Sequence, residues 1–305
     1  MSTPDPRMAA TFNTTQTYYR IRSFQIEVLG SSCVTIVGVP IEIAVLTFVL
    51  AFVGGMIPIR SSIKDNEEAL RRLTGIAAGI LLASAMLVVI PEGFELAMGE
   101  GELGPLVLGG AILAGFLLML VLEGSGIGHA VHEEHHDHAE EHGHGHIHHQ
   151  SAPWLLVLGL SLHSAADGLA IGSAAAGASE AVTALVAFAV VSHKVPAAFS
   201  LGVFALHERD QRKDAIRDVL LFALATPVMI MVSFYALQDV EVQTVALAML
   251  FAAGTFLYVA TVDTLPDIHN PETGRQALKH ILLGAAILGA ILIGADAAGL
   301  IERGY

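Results

Sequence analysis

Cysteine is almost absent: Cys33 stands alone, which excludes an internal disulfide and any cysteine-built metal cage. Charge is scarce too, with Asp, Glu, Lys and Arg making up 14% of 305 residues against 54% hydrophobic ones. So little charge over so long a chain excludes an ordinary soluble domain and reads as a protein that crosses the membrane many times. The first residues lack the basic-then-apolar order of a secretory signal, so residues 1–36 are expected to form a polar tail. No H-E-x-x-H motif of the kind that zinc hydrolases carry on a helix falls within an apolar segment either.

What the chain has instead is long apolar runs. A helix needs about 20 mostly apolar residues to cross the hydrocarbon layer. Eight such segments fall at 37–59, 75–98, 104–122, 153–177, 181–206, 217–237, 243–265 and 279–298. The predicted organisation is an all-α membrane protein: a tail at 1–36, three helices in 37–122, a loop at 123–152, five helices in 153–298 and a short tail at 299–305. Most connections are short, which makes consecutive helices antiparallel neighbours.

Basic residues are missing from the second, fourth and sixth loops altogether. They gather in the first loop (Arg60, Lys64, Arg71, Arg72), the fifth (Arg209, Arg212, Lys213, Arg217) and the seventh (Arg275, Lys279). Arg7, Arg20, Arg22 and Arg303 lie in the tails, and ten against four decides the orientation. The positive-inside rule then puts the odd loops in the cytoplasm and both termini outside.

The third loop is the one long connection, and it reads "HAVHEEHHDHAEEHGHGHIHH". His129, His132, His135, His136, His138, His142, His144, His146, His148 and His149 alternate there with Glu, Asp and Gly. With no apolar face to bury, the stretch is expected to stay disordered. Imidazoles and carboxylates at such spacing suit Zn²⁺ and similar ions, held weakly and in many arrangements, so the loop is read as a cytoplasmic metal buffer or sensor. The net charge of −14 owes much to this loop, and no nucleic-acid partner is expected.

Four charged residues stand out within the apolar segments, Glu92, Asp167, Lys194 and Asp263, joined by His163 and His193. Each charge at mid-bilayer costs about 2.5–3.5 kcal/mol on insertion scales, so each calls for a partner or a pathway. His163 and Asp167 lie one helical turn apart in "SLHSAADGLAIG" and share a face, from which a ring nitrogen and a carboxylate reach one ion. A satisfied interhelical hydrogen bond is the plainer alternative. The fourth and fifth segments also echo each other, since His163 precedes Gly172 and His193 precedes Gly202 by the same nine residues. Aligned so, Ser164 matches Lys194 and Asp167 matches Ala197. The small residues Gly168, Gly172, Ala197, Ala198 and Gly202 are expected to let these two helices approach closely and bring their polar faces together.

A second echo pairs Pro91-Glu92 with Pro266-Asp267. Proline leaves the carbonyl four residues earlier without its helical donor, and paired interruptions in two halves of a chain point to an inverted-repeat transporter.

The motifs "GGMIP", "VVIPEG", "HSAADGLAIG", "HKVPAAFSLG", "FALATPVM" and "GTFLYVAT", in that order, resemble those of the ZIP (Zrt/Irt-like) divalent-metal transporters, in particular the branch typified by the Golgi-located animal member. The resemblance implies a 3+2+3 bundle, an inverted repeat of helices one to three and six to eight around helices four and five, carrying zinc or a related divalent ion toward the cytoplasm. Many members of that family have a two-metal centre. This chain departs from it at Ser164, Lys194, Ala197 and around Ala225 and Thr226. An ammonium is itself a compact cation. Lys194 is therefore expected to replace the second ion, leaving one transported-ion site of His163, Asp167 and His193, with Glu92 and Asp263 as further candidates and Gly168, Gly172, Pro196 and Gly202 as packing residues.

Such a site works by alternating access, and uptake is expected to fall at acid pH because the ligands must be deprotonated. The expected partners are divalent metal ions and lipid; a homodimer is one assembly the sequence leaves open. The rivals are an intramembrane zinc hydrolase assisted by Ser164 or Ser192, and a metal-sensing receptor without flux.

Overall fold

The computed structural model describes residues 40–60, 67–98, 103–125, 127, 153–209, 211–262, 268–269, 271 and 273–299. The N-terminal tail with Cys33, the histidine run of the third loop, Asp263, Pro266 and Asp267 lie outside them. The described residues form eight helices long and apolar enough to cross a membrane. We label them α1 Ile41–Arg60, α2 (Glu67–Ser84, a π-turn Ala85–Val89, then Ile90–Met98), α3 Pro105–Gly124, α4 Pro153–Gly177, α5 Glu180–Glu208, α6 Arg212–Leu237, α7 Val242–Val262 and α8 Gly274–Ala297. Helices answer the apolar solvent because they satisfy every backbone donor and acceptor within one segment. The chain is an integral, multi-pass membrane protein.

Several helices begin earlier than the apolar runs. α2 starts at Glu67, α6 at Arg212 and α8 at Gly274. These added turns are polar, and they continue the helix outside the hydrocarbon, as in the exposed ion pair that Arg72 makes with Glu68 one turn away. The π-turn stands where Pro91 was expected to disturb the backbone. Ile90 N–H reaches back to the Ala85 carbonyl there, a five-residue step that widens the turn just before the proline, whose ring has no N–H to continue the ladder.

The packing has the symmetry of an inverted repeat. α2 packs on α8 and α3 on α7; α1 packs on α5 and α4 on α6; α2 meets α5 and α4 meets α7. Exchanging α1–α3 with α6–α8 and α4 with α5 turns each of these contacts into its partner. Glycines mark the same seams. A Cβ on Gly79 would stand 2.0 Å from the Ile281 carbonyl oxygen, and one on Gly284 2.0 Å from that of Ile76. In the mate of this seam, a Cβ on Gly115 would stand 1.9 Å from the Phe251 oxygen and one on Gly254 2.0 Å from that of Ile112. Such backbone-to-backbone approach is how helices associate where lipid removes the hydrophobic drive.

The expected seam between α4 and α5 needs correction. Gly168 and Gly172 press against Thr226, Ile230 and Ser233 of α6, and Gly202 against the Gly55 carbonyl of α1. The small-residue faces of α4 and α5 therefore point to their outer neighbours, because each helix has one such face and uses its other face for the polar residues between them.

Gly254→Ala is expected to lower stability by about 3 kcal/mol, the upper end of the usual overpacking cost, since a carbonyl contact has no flexible side chain to yield. Gly109→Ala, where nothing lies within 4 Å, should be neutral. Thermal unfolding of the two variants in detergent compares them directly; equal midpoints would remove this seam from the account.

The largest apolar cluster fills the half nearer the even loops, with Ala178, Val182, Val186, Val245, Met249 and Phe256 buried together. Toward the odd loops, smaller clusters join α1, α5 and α6 through residues such as Ala51, Leu201, Phe222 and Val219. The gap beside these smaller clusters holds the site.

Candidate metal site

The polar faces of α4 and α5 do meet. Ligand atoms of His163, Asp167 and His193 all lie within 4.8 Å of one another, the group among the described residues arranged to share an ion. Asp167 is fully buried, and His163 and His193 are only 8% and 7% exposed. His163 Nε2 lies 3.7 Å from Asp167 Oδ1, and His193 Nε2 lies 3.3 Å from Oδ2. The rings are 5.5 Å apart between centroids. The one-turn spacing on α4 thus turns Asp167 toward both rings.

His193 Nδ1 stands 3.0 Å from the Ala189 carbonyl, an acceptor, so that nitrogen is the one that carries hydrogen. In the neutral ring Nε2 is then left with a lone pair facing the carboxylate, the tautomer a metal ligand needs. Asp167 Oδ1 accepts no hydrogen bond from the described residues although it is out of reach of solvent. Two acceptors aimed at one point, with a carboxylate oxygen unsatisfied, make an electronegative focus that a cation would relieve.

Lys194 lies on the other side of the carboxylate, fully buried. Its Nζ donates to Asp167 Oδ2 at 2.8 Å and to Ser164 Oγ at 2.5 Å, and stands 4.8 Å over the Phe222 ring. Ser164 Oγ in turn lies 2.9 Å from Thr226 Oγ1, whose hydroxyl donates to the Ser164 carbonyl at 2.8 Å. The positions read in the sequence as departures from a two-metal pattern, Ser164, Lys194 and Thr226, therefore form one buried hydrogen-bonded group around an ammonium. Ala197 and Pro196 line the neighbouring cavity instead.

That cavity, about 160 Å³, runs from His163 and His193 past Thr74, Ser200 and Val262 to Glu123. Tyr258 donates to Glu123 Oε2 at 2.7 Å, joining α7 to the end of α3. His193 stands at the middle of α5, and the other residues just named lie toward the odd-loop ends of their helices. Neither Glu123 nor Tyr258 was predicted, since an acid at the edge of a span looks like any interfacial residue. Glu92 is half-buried on the last part of α2 and is not one of the three clustered ligands. Asp263 and the loop histidines His135, His136, His138, His142, His144, His146, His148 and His149 lie outside the described residues. Ser192 donates to the Phe188 carbonyl of its own helix.

The chain is similar along most of its length to known proteins. The family model described as ZIP Zinc transporter matches residues 124–294. The zinc transporter ZIP9 of Xenopus tropicalis is 31% identical over 285 residues, covering 79% of this chain and 91% of the relative. ZIP9 of Micropogonias undulatus is 30% identical over 301 residues, covering 82% and 94%. Human ZIP2 matches more locally, 32% over 163 residues and about half of each chain. With eight membrane-crossing helices, the repeat in their packing and relatives along most of its length, the chain belongs to the ZIP zinc transporter family, on the branch of ZIP9.

Proposed function

We propose that the protein carries divalent transition-metal ions, zinc foremost, across the membrane toward the cytoplasm through His163, Asp167 and His193. The observation that carries this is the buried cluster of three ligand atoms at the inner end of a cavity that opens toward the odd loops. Two imidazoles and a carboxylate are borderline ligands suited to zinc, and three ligands leave a fourth position to water, so the ion is held without being sealed in. The Lys194 ammonium weakens the hold further by repelling the incoming cation at short range. A carrier needs that compromise, because an ion bound too tightly does not leave.

Direction follows from combining two readings. The basic residues assign the odd loops to the cytoplasm. The apolar cluster of Val182, Val186, Met249 and Phe256 closes the opposite side. The described conformation is then open inward, with Glu123 as an acidic stop along the way out and the histidine-rich loop as the receiver. Alternating access would open the closed half by shifting α1, α4, α5 and α6, which pack on one another, against α2, α3, α7 and α8.

The test is flux into liposomes holding purified protein. Zinc should enter at a saturable rate, and His163→Ala or His193→Ala should lower it by at least ~10-fold, since even an indirect support of a metal ligand is worth that much. Zinc entry that these substitutions leave untouched would exclude the site, and bound zinc without flux would make the protein a receptor.

A further inference from the structure

A second cavity, about 530 Å³, lies at the odd-loop end of α4 and α6, apart from the metal site. Its walls are apolar where they face the hydrocarbon: Trp154, Leu158 and Leu221 are 57%, 38% and 48% exposed. Its head is charged. Arg209 and Asp218, half of that charge, are bound to each other through Nε at 2.7 Å. Arg217 and Asp214, the other half, are exposed, one turn apart on α6, and make no ion pair with any described residue. At the cavity's inner wall Ser161 Oγ is buried without a hydrogen-bond partner among the described residues.

A ligand that fits must bring a hydrocarbon tail, an anionic group for Arg217 and a cationic donor for Asp214. The two guanidinium groups and two carboxylates cancel, so a purely anionic ligand finds no excess of positive charge. A tryptophan at the edge of a span marks the headgroup level of the membrane. We propose that this cavity is a seat for one phospholipid with a phosphoethanolamine headgroup. The phosphate takes the forked donors of Arg217, with Arg209 beside it, and the ammonium takes Asp214. Ser161 donates to the glycerol ester region, and the acyl chains descend along Leu158 and Leu221. Ser161 stands two residues before His163 on α4, so the seated lipid bears on the helix that carries the metal ligands.

The site is tested without metal, so its failure leaves the transport reading untouched. Full-length protein is stripped of lipid in detergent and titrated with short-chain phospholipids, with bound lipid counted by native mass spectrometry. One phosphatidylethanolamine per chain is expected at concentrations where phosphatidylglycerol and phosphatidylcholine bind about tenfold less. Arg217→Gln should lose that binding about tenfold, Asp214→Asn should erase the preference over phosphatidylglycerol, and Trp154→Ala, also at an exposed position, should weaken all three lipids. Arg275→Gln, on another cytoplasmic loop, should change nothing. Equal binding of the three lipids to the unaltered protein, binding unchanged by Arg217→Gln, or inorganic phosphate displacing the lipid by itself would each overturn the assignment.

Discussion

Asp167→Asn is expected to abolish transport and to damage the fold at the same time, and a second substitution separates the two effects. The carboxylate is the anion of the site and the partner of a fully buried ammonium at 2.8 Å. Removing its charge leaves Lys194 with Ser164 and the Phe222 ring as its remaining company, and an ammonium stranded in this way costs about 3–5 kcal/mol. Asp167→Asn should therefore unfold at a much lower temperature in detergent. The double variant D167N/K194M removes both charges and keeps a chain of similar length over Phe222, so it should regain most of the stability. It should still carry no zinc above the background of empty liposomes, because two imidazoles without the carboxylate neither neutralise nor enclose the ion. A double variant that is stable and transports like the unaltered protein would show that Asp167 serves the fold alone.

The coupling of these roles explains how much of the site was legible in the sequence. His163 and Asp167 were readable as a pair because helical periodicity puts residues four apart on one face, and their place inside an apolar run made them costly enough to need a reason. His193 was readable through the repeated interval to a glycine. The eight spans were readable because their length is set by the bilayer. What was not legible depended on which helix stands beside which. Gly168 and Gly172 announced close packing but not that the neighbour was α6, and Gly202 not that it was α1. Spacing along one helix carries no record of its partner. The link from Tyr258 to Glu123 spans 135 positions, and nothing local marks either residue. The early starts of α2, α6 and α8 were missed because hydropathy reports where lipid ends, whereas the helix continues until its hydrogen bonding fails.

Lys194 is where sequence and structure combine into the sharpest expectation, that a single charge sets how many ions the protein binds. Its Nζ occupies a position ringed by Asp167 Oδ2, Ser164 Oγ and, behind the serine, Thr226 Oγ1. Those are oxygen donors suited to a cation of any kind, and the ammonium fills the place with three hydrogens and one fixed charge. Lys194→Glu exchanges that tethered cation for another oxygen ligand, so the same ring should accept a second divalent ion, and without it two carboxylates would repel each other in a dry interior. Lys194→Met removes the charge and adds no ligand. Zinc counted by equilibrium dialysis, with the loop histidines replaced by serine so that only the buried sites register, should give about one ion per chain for the unaltered protein and for Lys194→Met, and about two for Lys194→Glu. Lys194→Met should bind its one ion about tenfold more tightly, the equivalent of about 1.4 kcal/mol of relieved repulsion, and turn over more slowly because release becomes the difficult step. Lys194→Glu should also melt at a temperature that climbs with zinc, since the ion binds only the folded form. One ion in Lys194→Glu, or two in the unaltered protein, would mean that the ammonium does not stand in for a metal.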